Sequence, residues 1–117
     1  MPITNVLAVV TVADMDSGLA WYEQLLGRSA DTSPMESLAE WQVTETGWVQ
    51  LVRDADRAGT GQLTLGVDDL EAHIAVLAGR DLNVGAIATG DFTIFASMTD
   101  PEGNTVTFAE DRGQWNL

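Results

Sequence analysis

Few side chains in this chain could do chemistry. It has 117 residues, no cysteine and one histidine, His73. Thiolate metal ligands, disulfides and a cysteine nucleophile are therefore excluded. No Ser-His-Asp array, phosphate loop or dinucleotide fingerprint is visible, and Gly59-Thr60-Gly61 is too short to cradle phosphate. Glu40, on a predicted strand, is the best candidate for a general base. Its face is open at this point, and a solvated carboxylate on the strand surface is the plainer alternative. Trp48 is the tryptophan best placed to stack a flat ligand. Trp21 and Trp41 read first as core or subunit-contact residues. Gln50, Gln62, Thr64, Thr105 and Thr107 offer uncharged hydrogen-bonding groups, for a ligand or for one another.

Composition narrows the partners. The formal net charge is −13, and all five basic residues are arginines. Such a field repels phosphate backbones, which argues against nucleic-acid binding, and it attracts cations. It is equally what a solubilising surface carries. Hydrophobic residues make up 45%, enough for a core, and no apolar run approaches the roughly 20 residues that span a bilayer. The opening Met-Pro-Ile-Thr-Asn lacks the basic start of a secretory signal. The expectation is a cytoplasmic protein that binds neither membrane nor nucleic acid.

The elements that must position these groups come from an internal repeat. Val12-Ala13-Asp14-Met15-Asp16 returns as Val67-Asp68-Asp69-Leu70-Glu71. Each copy follows a β-rich run and opens a helical one, with Leu19, Tyr22 and Leu26 in the first and Leu70, Ile74 and Leu77 in the second. Asp14, and Asp68 or Asp69, are candidate N-caps, and Gly27 and Gly79 candidate C-caps. Strands are predicted at 37–43 and 47–53, at 61–67, and at 91–98 and 104–110. Period-2 alternation sets Val49 and Leu51 against Trp48 and Gln50, and Leu63, Leu65 and Val67 against Gln62, Thr64 and Gly66. It likewise sets Val106 and Phe108 against Thr105 and Thr107. The apolar sets should lie under the helices, leaving a mixed-polarity face as a cleft. His73, in the second helical run, should point away from that cleft. The result is an α+β chain of two βαβββ modules: module one 1–54, linker 55–60, module two 61–113, and a tail 114–117 in which Trp115 could dock.

Three stretches carry a resemblance: Val12 to Asp16 running into Trp21-Tyr22-Glu23-Gln24-Leu25-Leu26-Gly27, then Val67-Asp68-Asp69-Leu70, then Asp100-Pro101-Glu102-Gly103-Asn104. With the repeat, they make the chain resemble the vicinal oxygen chelate superfamily of glyoxalases, extradiol dioxygenases, and bleomycin and fosfomycin resistance proteins. The resemblance implies one glyoxalase-like domain over residues 1–113, folded as a curved, incomplete barrel and assembled as a homodimer. It also implies four metal-ligand positions, which here are Leu7, Gln50, Gln62 and Thr107. Leucine offers no donor and the other three are neutral, whereas zinc and iron take imidazole, thiolate or carboxylate.

The expectation is therefore a protein without metal or cofactor, similar to the bleomycin-resistance branch. It would bind a small organic molecule, cationic or aromatic, beside Leu7, Trp48, Gln50, Gln62, Thr64 and Thr107. The alternative is a metal-independent isomerase, lyase or cyclase acting on a small carbonyl compound.

Overall fold

The structure, a computed structural model, describes residues 2–112. The tail 114–117, with Trp115, lies outside the described residues. Ten elements follow in order: β1 Val6–Val12, α1 Met15–Leu26, β2 Thr32–Met35, β3 Leu38–Gln42, β4 Gly47–Arg53, β5 Gln62–Val67, α2 Leu70–Ala78, β6 Ala88–Thr89, β7 Thr93–Thr99 and β8 Thr105–Asp111. They build two unclosed four-stranded sheets with the same internal order, β1-β4-β3-β2 and β5-β8-β7-β6. In each, the first strand runs parallel to the last and the remaining pairings are antiparallel. The 55-residue repeat is thus a repeat of topology.

Caps set the helix ends. The Asp14 side chain accepts from Ser17 N–H at 3.2 Å, and the Asp69 side chain from Ala72 N–H at 3.1 Å. Each satisfies an amide that has no partner inside its helix, worth about 1 kcal/mol. Helix α1 stops at Gly27, whose φ of 79° closes a bond from its N–H to Glu23 O. Helix α2 stops differently. Gly79 stays right-handed, and the positive φ falls two residues later on Asp81, at 61°. Aspartate tolerates that region better than most side chains.

The core follows the alternation read from sequence. Val10 and Val12, Ala39 and Trp41, and Val49 and Leu51 lie buried with Tyr22 and Leu25 of α1. Leu63, Val106, Phe108, Ile94 and Ala96 are buried with Leu70 and Leu77 of α2. Trp41 is fully buried, and its indole N–H donates to Arg28 O at 3.0 Å, so it is a core residue.

The Asp100–Asn104 turn clasps the two modules. Asp100, 4% exposed, accepts from Tyr22 Oη at 2.8 Å and from Asn104 Nδ2 at 2.7 Å. Asn104, fully buried, also donates from Nδ2 to Thr11 O, while its Oδ1 accepts from Gly61 N–H. Glu102 accepts from the N–H groups of Ala13 and Asp14, just before α1. The Tyr22 phenol is pushed far above its ordinary pKa by burial and by the Asp100 carboxylate, so it stays a donor. Among the described residues no helix is long and apolar enough to cross a membrane.

Candidate functional site

The sheet faces turned away from the helices carry the residues singled out by the sequence. On the first sheet, Leu7 pairs with Trp48 across β1 and β4, and Trp48 with Gln42 across β4 and β3. Two residues along, Val9, Gln50 and Glu40 stand in one row. Leu7 and Val9 are exposed, and Trp48, Gln50 and Glu40 are half-buried. The face of Glu40, open from sequence, is therefore the face of Gln50. Its carboxylate is held from both sides: Gln50 Nε2 donates to Oε2 at 2.6 Å, and Thr32 Oγ1 to Oε1 at 2.9 Å.

On the second sheet, Gln62, Thr105 and Thr99 form one row and Thr64, Thr107 and Ser97 the next. Gln62 and Thr64 are exposed, while Thr107 is half-buried and shares a 2.8 Å hydrogen bond with Ser97. Leu7, Trp48 and Gln50 thus form one group, and Gln62, Thr64 and Thr107 another. The two sheets touch along β1 and β5, their edge strands.

The residues at the four ligand positions do not fit a divalent metal. They supply one leucine, two amides and one hydroxyl. Among the described residues, no three histidine, aspartate or glutamate side chains converge. Glu40 adds one carboxylate to this face, short of the histidine and carboxylate sets that zinc or iron takes. Glu110 lies on the helix side, where it accepts from Leu70 N–H at 2.8 Å and pairs with Arg112.

A second feature was not foreseen from sequence. Between the modules, on the helix side, lies a cavity of about 460 Å³. Leu25 and Leu26 at the end of α1, Ala8 of β1, and Leu63, Leu65 and Phe108 of the second sheet supply its apolar wall. His73 of α2, Arg28 and Arg80 also line it, and Trp48 and Thr64 border it. His73, turned from the sheet face as its helical position implies, stacks on Phe108 with ring centroids 4.8 Å apart. Burial, and then the Arg80 charge, hold its pKa below the ordinary 6.5, against an opposing pull from Asp68.

Comparison with known proteins fits this architecture. Residues 7–109 match the family described as the glyoxalase-like domain. No curated protein matches the chain in sequence. Among solved structures, a glyoxalase/bleomycin resistance protein from Catenulispora acidiphila DSM 44928 is 32% identical, with a TM-score of 0.84 over 91% of this chain and 96% of that one. TnmS3, an antibiotic-binding protein from Streptomyces sp. CB03234, is 23% identical, with a TM-score of 0.79 over 95% of this chain and 98% of that one. A further glyoxalase/bleomycin resistance protein from the same Streptomyces strain is 22% identical at a TM-score of 0.70, covering 89% of this chain and 97% of that one. Repeat, topology and family match agree: the chain belongs to the glyoxalase-like domain family of the vicinal oxygen chelate superfamily.

Proposed function

We propose that this protein holds a small, flat, cationic organic molecule on the sheet face around Trp48, Gln50 and Glu40, without a metal or cofactor, and that it does so as a cytoplasmic homodimer. The observation that carries the reading is the row of fixed groups on that face. Trp48 supplies an aromatic surface for a cation. Two residues along β4, Gln50 and the carboxylate it holds at 2.6 Å supply a hydrogen-bonding edge and a negative charge. The net charge of −13 would concentrate cations near the protein. Gln62, Thr64 and Thr107 offer a second neutral polar row. The similarity to an antibiotic-binding protein supports a binding role. The exposed apolar residues Leu7, Val9 and Phe95 support a second copy covering part of this side.

Titration with berberine, a planar aromatic cation, followed by tryptophan quenching and calorimetry, tests the reading. Trp48→Ala and Glu40→Gln should each weaken binding about tenfold, the equivalent of about 1.4 kcal/mol. Absence of quenching and of any thermal shift across a library of cationic aromatics would count against it. Sedimentation at micromolar concentration tests the dimer.

One observation favours a second reading, a metal-independent isomerase, lyase or cyclase acting on a carbonyl compound: Glu40 is a carboxylate on the right face. Both of its oxygens already accept hydrogen bonds, which suits a fixed charge better than a proton-abstracting base. Unchanged turnover in Glu40→Gln, for any activity found, would remove it from that role.

A further inference from the structure

We propose that the cavity between the modules is a second ligand site, for a small amphipathic carboxylate whose apolar body lies among Leu25, Leu26, Leu65 and Phe108 and whose carboxylate meets Arg80 and His73. Trp48 and Thr64 border it from the sheet, but the proposal rests on Arg80, His73 and the apolar wall and does not depend on the reading of the sheet face.

Three observations converge. At about 460 Å³ the cavity lies within the range of small-molecule pockets, and its walls are mostly aliphatic and aromatic. Its charged groups are of one sign: two of the chain's five arginines line it, and no aspartate or glutamate does. In a chain of net charge −13 that composition runs against the average surface. The long-range acidic field is screened beyond about 8 Å at physiological salt, whereas a contact with Arg80 is direct.

The two arginines are also unequal. Arg28 is committed, to Asp31 at 2.5 Å and to Gln42 O. Arg80 forms no ion pair among the described residues, and its one side-chain hydrogen bond there runs from Nη1 to Leu25 O at 3.0 Å. Its remaining N–H groups are left to bind a carboxylate, the partner that a guanidinium fork fits. The guanidinium is seated over Gly27, where a Cβ would come within 2.6 Å of Nη2. His73 makes no side-chain hydrogen bond among the described residues. Burial, and then the Arg80 charge, hold its pKa below the ordinary value, and a neutral imidazole carries one donor and one acceptor at the cavity wall.

The test uses the single histidine as a reporter. Protein labelled with ¹³C-histidine is titrated with octanoate and, separately, with octan-1-ol. The expected result is a saturable shift of the His73 resonance with octanoate, and binding at least tenfold weaker for the alcohol. Arg80→Met should weaken octanoate binding at least tenfold. Leu65→Trp, which narrows the cavity beside Phe108 and keeps both polar groups, should also weaken octanoate binding and serves if Arg80→Met does not fold. A His73 resonance that octanoate leaves unmoved in the folded wild-type protein would overturn the proposal. So would equal response to acid and alcohol.

Discussion

Two carboxylates in this protein are each bracketed by two side-chain donors. Asp100 accepts from Tyr22 and Asn104, and Glu40 from Gln50 and Thr32. The chemistry is nearly the same and the setting is not. Asp100 and both its partners are buried, and the bond from Tyr22 joins residues 78 positions apart, across the two modules. Glu40 is half-buried, and its donors come from the two strands beside it in one sheet. A buried carboxylate loses its hydration and depends wholly on its donors, so the first cluster holds the fold together. The second keeps contact with water, can exchange it for a ligand, and contributes little to stability.

Substitutions should expose that difference. Asp100→Ala would leave the Tyr22 hydroxyl unpaired in the interior and strip Asn104 of its bonds to the carboxylate, leaving it those to Thr11 and Gly61. The expected loss is about 3 kcal/mol or more in urea unfolding, at the upper end for a buried network. Tyr22→Phe removes one bond but leaves Asp100 its other donors, so about 1 to 1.5 kcal/mol is expected by the same measurement. Glu40→Gln should move stability by less than about 0.5 kcal/mol while weakening a cationic ligand. If Glu40→Gln destabilised the protein as much as Asp100→Ala, the two clusters would share one structural role.

A smaller effect belongs to His73. Its folded pKa lies below the unfolded value near 6.5, so the unfolded chain takes up the proton first as pH falls. The contribution of neutral His73 is present above pH 6.5 and is lost as pH falls from there through the lower folded pKa. His73→Gln should flatten the pH dependence of the melting temperature across that window.

Much of the fold was legible because its signals are local. Asp14 and Asp69 cap the helices they precede, and Val49 and Leu51 or Val106 and Phe108 mark the buried face through strict alternation. The edge strands Thr32–Met35 and Ala88–Thr89 were not read, because one is polar with a proline and the other has two residues. Either proline or brevity hides an edge strand. The face of Glu40 stayed open because its stretch mixes Leu38, half-buried on the Glu40 side, with buried Ala39 and Trp41. Only pairing with Gln50 fixes it. The cavity was not legible at all. Its walls come from seven elements and the loops between them, and Leu25, Leu65 and Phe108 look like ordinary core in the sequence. One signal was available: Arg28 and Arg80 each follow a helix-ending glycine in a chain with few cations.

The central claim is a sheet face that binds a small molecule without a metal. The most direct test is berberine titration of EDTA-treated protein, before and after adding zinc, nickel or manganese, with thermal unfolding recorded alongside. The account predicts the same affinity in every case and no rise in melting temperature with any metal alone. Binding that appears only after metal is restored, with one tightly held ion per chain and a raised melting temperature, would contradict it.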